Sequence, residues 1–99
     1  MSSHVTSTTQ MFDFIRRCQE AGLRHHLHEV VDSAVIAEET RMSVVRTKNN
    51  NGDVRSAKII FREHYKSFQE CVRKLNEACK CHNIHPPAYG MLDVLNVFA

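Results

Sequence analysis

Apolar residues between positions 61 and 82 follow a helical repeat. Steps of four and three residues alternate through Phe61, Tyr65, Phe68, Val72, Leu75, Cys79 and His82. Side chains at these steps share one face of an α-helix, and charged residues fill most of the positions between them. Such a face needs another helix to cover it. The pattern therefore predicts a long helix over about residues 56–83, ending before Pro86-Pro87, that packs against a helical neighbour.

A second helical pattern precedes this one and contains two adjacent apolar stripes. The first stripe consists of Leu23, Leu27, Val30, Ala34, Ala37 and Val44, and the second of Leu27, Val31, Val35, Met42 and Val45. A helix with two stripes is expected to have two neighbours. The pattern predicts a long helix over about residues 23–47.

The segment 48–53 is predicted to form the turn between the two long helices. Its asparagines and Gly52 tolerate the left-handed backbone that ends a helix, and Asp53 or Ser56 can cap the helix that follows. An antiparallel hairpin with this turn pairs residues whose numbers add up to about 104.

The two ends of the chain differ in character. Residues 1–10 are rich in Ser and Thr and predict a flexible tail, in which Thr8 or Thr9 caps a short helix over about 11–21. Gly22 then predicts a bend. Residues 86–99 are strongly apolar, and their pattern fits a helix or a strand. This segment either folds back on the hairpin or docks on another chain.

Together these patterns predict an all-α fold. An antiparallel, coiled-coil-like hairpin domain with a short N-terminal helix occupies residues 11–85, between the tail 1–10 and a C-terminal docking segment 86–99. A chain of 99 residues holds one small domain, which buries only roughly 60 to 65% of the surface exposed by its unfolded chain.

Charge and composition exclude several classes of binding partner and cellular location. The net charge is +2, and basic residues alternate with acidic ones along the chain, so direct binding of nucleic acid is not expected. No apolar run reaches the length of a membrane span, and the N-terminal residues do not resemble a secretory signal. A reducing compartment is expected, with Cys18, Cys71, Cys79 and Cys81 as free thiols.

A metal site is the main chemical alternative. The hairpin register would place His25 opposite Cys79, close to a second group formed by Cys81, His82 and His85. This spacing does not match a zinc finger, so packing thiols and no metal are predicted. Glycine-rich phosphate loops and a nucleophilic elbow are also lacking, so neither a cofactor, a small-molecule substrate nor a catalytic residue is predicted.

Several short motifs occur in an order that resembles a known family. They are Arg17-Cys18-Gln19-Glu20, Val44-Val45-Arg46 before Asn51-Gly52, Val72-Arg73-Lys74-Leu75 with Cys79, and Pro86-Pro87 ahead of 92–98. In this order the chain resembles the Mediator of RNA polymerase II transcription subunit 30 family. It departs from that family by a longer first helix, a shorter loop between the helices and no glycine-rich step before the prolines. The resemblance implies a nuclear, non-enzymatic subunit of the Mediator coactivator, which links transcription regulators and activators to RNA polymerase II.

The apolar face and the C-terminal segment are the predicted partner-binding sites, and their partners are expected to be helical protein subunits. The predicted contact residues are Phe61, Tyr65, Phe68, Val72, Leu75, Leu92, Leu95 and Phe98. Three alternatives stay open at this point. The chain could be a scaffold or tether of an unrelated trafficking or kinetochore complex, a zinc-stabilised nucleic-acid adaptor, or a self-contained bundle whose C-terminal segment covers the apolar face.

Overall fold

The computed structural model describes residues 7–98. Within them the chain forms α1 (Thr8–Glu20), α2 (Arg24–Asn49), α3 (Arg55–Cys81) and α4 (Met91–Phe98). No strand occurs between residues 7 and 98, so the predicted all-α fold is confirmed. The hairpin of α2 and α3 gives the molecule its long dimension of 48 Å, against 27 and 22 Å across it.

The N-terminal helix begins slightly earlier than predicted. Ser7, rather than Thr8 or Thr9, caps α1, and its hydroxyl accepts a hydrogen bond from the N–H of Gln10 while the Gln10 side chain accepts one from the N–H of Ser7. This reciprocal pair satisfies two backbone donors that the helix itself leaves free. Residues 1–6 of the predicted tail, like Ala99, lie outside the described residues.

The bend predicted at Gly22 is present. Gly22 has a left-handed backbone with a φ of +79°, and the N–H of Leu23 donates to the carbonyl of Cys18 at 2.9 Å. The chain thereby ends α1 and begins α2 at Arg24, so the predicted short helix is a separate element.

The predicted turn between the long helices is present. Asn51, one of the residues predicted to tolerate the left-handed backbone, adopts it with a φ of +57°. A Cβ atom on Gly52 would lie 3.0 Å from the Cγ2 atom of Thr47, so a larger residue here would require the Thr47 side chain to shift slightly. Asp53 accepts a hydrogen bond from the N–H of Arg55 at 3.0 Å, at the first residue of α3.

The C-terminal segment folds back on the hairpin as a helix, which was one of the two arrangements left open. Met91 and Val94 of α4 are buried, and the ring of Tyr89 lies 5.7 Å from that of Phe14 in α1. Residues 86–98 are therefore continuous with the packing of the other helices.

The core is confined to one end of the molecule. The fully buried residues are Met11, Phe14, Ile15, Cys18, Leu23, Leu27, Val30, Ala34, Ala37, Phe68, Leu75, Cys79, Ile84, Met91 and Val94. Residues 38–67 contain none of them. We call residues 38–67 the hairpin tip and the other described residues the helical base. The tip consists of two helices only, while in the base α1 and α4 pack around them. None of the described helices is long and apolar enough to span a membrane.

Candidate protein-docking surface

The predicted contact residues fall into two groups in the structure. Phe68 and Leu75 are 3% and 0% exposed and lie in the core of the base. Their partners are other helices of the same chain, because residues of α1, α2 and α4 join them in one cluster. In this structure neither side chain is available to a second protein.

The other predicted contact residues retain accessible surface. Phe61, Tyr65, Val72 and Leu95 are half-buried, whereas Leu92 and Phe98 of α4 are exposed. The ring of Tyr65 lies between those of Phe61 and Phe68, with centroid distances of 5.7 and 6.0 Å. The aromatic residues of α3 thus extend from Phe68 in the core to Tyr65 and Phe61 in the tip.

Six exposed apolar side chains were not among the predicted contact residues. They are Phe12 of α1 and, on the two long helices, Val35, Ile36, Met42, Ile59 and Ile60. Ile59 is 55% exposed and Met42 is 37% exposed. The sequence carried a signal for Val35 and Met42, which belong to the second stripe of α2. Ile59 and Ile60 belong to no repeat, so periodicity alone does not identify them.

Two sides of the hairpin carry this apolar surface. Ile36 lies on the same face of α2 as Thr40 and Ser43, and a shallow depression joins these last two residues to Ile60. Ser43 and Ile60 thus face one another close to the predicted register. Val35 and Met42 lie on the other side, at steps of four and eleven residues from Val31, which places all three on one face of α2.

Helix α4 packs on the side that carries Val31. At the end of α4, Phe98 lines a depression with Leu27 and Val31 of α2. At its beginning, Met91 and Leu92 line another with Tyr65 of α3. Helix α4 therefore packs on α2 and α1 in the base, and its first turn lies near Tyr65 of α3.

The groove between α2 and α3 continues into the tip, where no helix of the chain covers it. Beyond α4, the α2 side carries Val35, Met42 and Val45, and the α3 side carries Phe61 and Tyr65. We call these five residues the tip groove. Each of them is either exposed or half-buried, so the apolar floor of the groove is open to solvent.

Charge is distributed unevenly between the two ends. The tip contains seven basic and four acidic residues, whereas the rest of the chain contains six basic and seven acidic residues. The tip therefore carries a formal charge of +3 and the remainder −1, although the signs alternate along the sequence. The excess of positive charge on this molecule belongs to the tip.

Three of the tip cations form a row beside the tip groove. Lys58, Arg62 and Lys66 recur at steps of four along α3, and all three are exposed. Lys58 and Arg62 precede Tyr65 by seven and three residues, which places them on its face of the helix. In contrast with Arg41, which pairs with Glu38 at 2.5 Å, none of the three forms an ion pair with a residue between 7 and 98.

The cysteines and histidines do not assemble as the metal alternative required. Cys79 is fully buried and its Sγ atom lies 3.7 Å from that of Cys18 in α1, while His25 is exposed. Cys81, His82 and His85 are exposed as well. Among the described residues, no three His, Cys, Asp or Glu side chains are placed to hold a metal ion.

Burial suppresses the reactivity of the two core thiols. Loss of solvation raises the pKa of Cys18 to about 12, with the hydrogen bond to Cys79 adding to the effect. Burial also raises the pKa of Cys79. Since the thiolate is the nucleophile, both thiols should be inert while the base is folded.

Alkylation at pH 8 tests this assignment. We expect iodoacetamide to modify the exposed Cys81 roughly 100-fold faster than Cys18 or Cys79, because reaction of the core thiols requires local opening and deprotonation. Peptide mass spectrometry over time measures the three rates. In concentrated urea the difference should disappear, and equal rates in the folded protein would contradict the packing of α1 on α3.

Comparison with known proteins finds no protein family, no curated protein and no solved structure that matches this chain.

Proposed function

We propose that this protein is a non-enzymatic subunit of a multiprotein helical assembly and that it docks through the hairpin tip. The observation that carries the proposal is the unequal covering of the hairpin. In the base, α1 and α4 pack on the long helices, whereas Met42, Ile59 and Ile60 in the tip, and Val35 and Ile36 next to it, remain exposed on a pair of helices. Apolar side chains grouped in this way on the two sides of a hairpin favour protein–protein contact.

The energetics support docking. Complete burial of one large apolar side chain contributes roughly 1.5 to 3 kcal/mol. These side chains are already partly covered, so a partner gains a fraction of that amount from each. Several together, with the half-buried aromatic neighbours Phe61 and Tyr65, are sufficient for a specific interface once the cost of association has been met.

The arrangement of the candidate reactive groups supports a non-enzymatic role. The buried Cys79 lies against a second thiol and not against a histidine. Burial raises the pKa of this thiol, which disfavours the thiolate that a nucleophilic role requires.

Our more specific proposal is a place in a Mediator-like transcription coactivator in the nucleus. Its support is the order of motifs in the sequence, from Arg17-Cys18-Gln19-Glu20 to Pro86-Pro87, together with the exposed apolar residues of the tip. In this role the base would keep the subunit folded, and the tip would join it to neighbouring helices in the complex.

Affinity purification from nuclear extract tests both levels of the proposal. We expect the tagged chain to recover Mediator subunits and RNA polymerase II. The triple variant Val35→Ser, Met42→Ser and Ile60→Ser should reduce this recovery at least about 10-fold, because it removes exposed apolar contacts that the fold does not need. The matched control Leu92→Ser changes an exposed apolar residue of the base.

The outcomes separate the proposals. Recovery of another multisubunit complex, with the same dependence on the tip, would overturn the Mediator assignment and retain the assembly role. A chain that is recovered alone, as a stable monomer, would overturn both.

A further inference from the structure

We infer that the tip groove binds an amphipathic helix of a partner protein whose flank is acidic, so that Asp or Glu side chains of that helix face Lys58, Arg62 and Lys66. This inference rests on the proposed role as an assembly subunit and names the chemistry of the partner. It follows from the shape of the groove, from the helix that packs next to it in the base, and from the cations beside it.

Helix α4 demonstrates which kind of element packs on this side of α2. In the base an eight-residue helix that buries Met91 and Val94 packs on the Val31 side of α2 and on α1, with its first turn near Tyr65 of α3. The tip groove continues along the same face of α2 with residues of the same type. A second helix can therefore pack beyond α4 on this face.

The length of the groove fits a short helix. From Val35 to Val45 the rise along α2 is about 15 Å, which corresponds to roughly three helical turns. An occupant of that length presents apolar residues at steps of three and four positions to the floor of the groove. Its two flanks face the outer sides of α2 and α3.

The flank over α3 determines the charge of the occupant. Lys58, Arg62 and Lys66 are exposed and lack ion-pair partners among the described residues. Glu63 lies two residues from Tyr65, which directs it to the opposite side of α3. On the α2 side, Glu38 lies on the groove face three residues after Val35, and one of its carboxylate oxygens is paired with Arg41. Glu39, four residues after Val35, is exposed. Acidic side chains on the partner would complement this row, whereas basic ones would be repelled.

The same charges disfavour the other occupants. A second copy of this chain would bring another tip of charge +3, with its own row of cations, against the first. Nucleic acid would contact the cations through phosphates and would leave the exposed Val35 and Met42 uncovered. An acidic amphipathic helix would cover the apolar residues of the tip groove and pair with the row of cations beside it.

Three synthetic helical peptides of about four turns test the inference. They share one leucine stripe and carry Glu, Gln or Lys on the flanks, and fluorescence anisotropy measures their binding to the full chain. We expect the Glu peptide to bind at least about 10-fold more tightly than the Lys peptide, with a difference that decreases as salt is added.

Protein variants locate the binding site. The double variant Lys58→Glu and Arg62→Glu should reverse the order of affinity of the Glu and Lys peptides. The control double variant Lys74→Glu and Lys80→Glu changes the net charge by the same amount in the base and should preserve that order. Val35→Ser with Met42→Ser should weaken all three peptides, and Ile36→Ser on the other face of α2 should not. Circular dichroism confirms that each variant remains folded.

Several results would overturn the inference. They are equal binding of the three peptides, an order unaffected by Lys58→Glu and Arg62→Glu, displacement of the Glu peptide by duplex DNA independently of Val35 and Met42, or a dimer in light scattering that Val35→Ser with Met42→Ser dissociates. If the peptides bind as expected but no assembly is recovered from extract, the proposed function is overturned and the inferred helix-binding site is retained. If an assembly is recovered but the peptides show no charge preference, only the inferred site is overturned.

Discussion

Replacing Leu75 by alanine is expected to lower the free energy of unfolding by about 3 kcal/mol, within the range of 2 to 5 observed for Leu→Ala in well-packed cores. Leu75 is fully buried between helices of the base, so the truncated side chain leaves a cavity that its neighbours fill only in part. The total free energy of unfolding of a small domain is only about 5 to 15 kcal/mol. Urea unfolding followed by circular dichroism measures the loss.

Leu92→Ala is the matched control, since it removes the same atoms from a side chain that is 60% exposed. Its effect should stay within about 0.5 kcal/mol. Equal costs at the two positions would contradict the placement of Leu75 in the core. Leu75→Glu should prevent folding altogether, and loss of partners by that variant would therefore reveal nothing about a partner interface.

The contrast between these two leucines shows what helical periodicity can and cannot provide. The repeat from Phe61 to His82 identifies a face of α3 that must be covered, and the structure covers it at Phe68 and Leu75. Periodicity does not identify the covering element. Here part of the cover comes from α1 and α4, whose apolar patches are short and lie far away in sequence.

Local signals predicted the helices well, because each depends on residues close in sequence. The two long helices, predicted over about 23–47 and 56–83, extend over Arg24–Asn49 and Arg55–Cys81. The sequence allowed the left-handed position at an asparagine or at Gly52, and the structure has it at Asn51. The residue that takes it depends on the geometry of the turn and is not visible in residue type.

The surface of the tip was harder to predict. Two stripes on α2 indicated two neighbours, but the second neighbour, α4, is only eight residues long and reaches Val31 without covering Met42. The charge of the tip was hidden for a different reason. Basic and acidic residues alternate in sequence, and only the hairpin brings residues 38–48 and 53–66 together at one end.

The register argument near the base illustrates a further limit. A two-helix hairpin places His25 opposite Cys79, whereas in the structure Cys79 contacts Cys18. The left-handed backbone of Gly22 reverses the chain between α1 and α2. Helix α1 therefore packs back against the base of the hairpin and supplies this contact. A rule for two helices cannot include a third helix whose direction depends on one glycine.

Mild oxidation of the folded chain is expected to join Cys18 to Cys79 and to raise the free energy of unfolding by roughly 4 kcal/mol, the value that chain entropy gives for a closed loop of about 60 residues. Their Sγ atoms are 3.7 Å apart, so a small rotation of the side chains brings them within bonding distance. Each thiol loses one proton and one electron, and the copper–phenanthroline oxidant accepts both electrons. Non-reducing peptide mapping identifies the bridge, and urea unfolding with and without reductant measures its effect.

The double variant Cys71→Ser and Cys81→Ser should form the same bridge, whereas Cys18→Ala should form none. A product linked only between molecules through Cys81, or a bridged chain with unchanged stability, would contradict the packing of α1 against α3. Oxidation should be slow, because the reagent reaches these buried thiols only when α1 opens locally. The bridge connects two helices of the base and involves no residue of the tip groove. The oxidised protein should therefore bind the Glu peptide as tightly as the reduced protein, which separates the stability of the base from recognition at the tip.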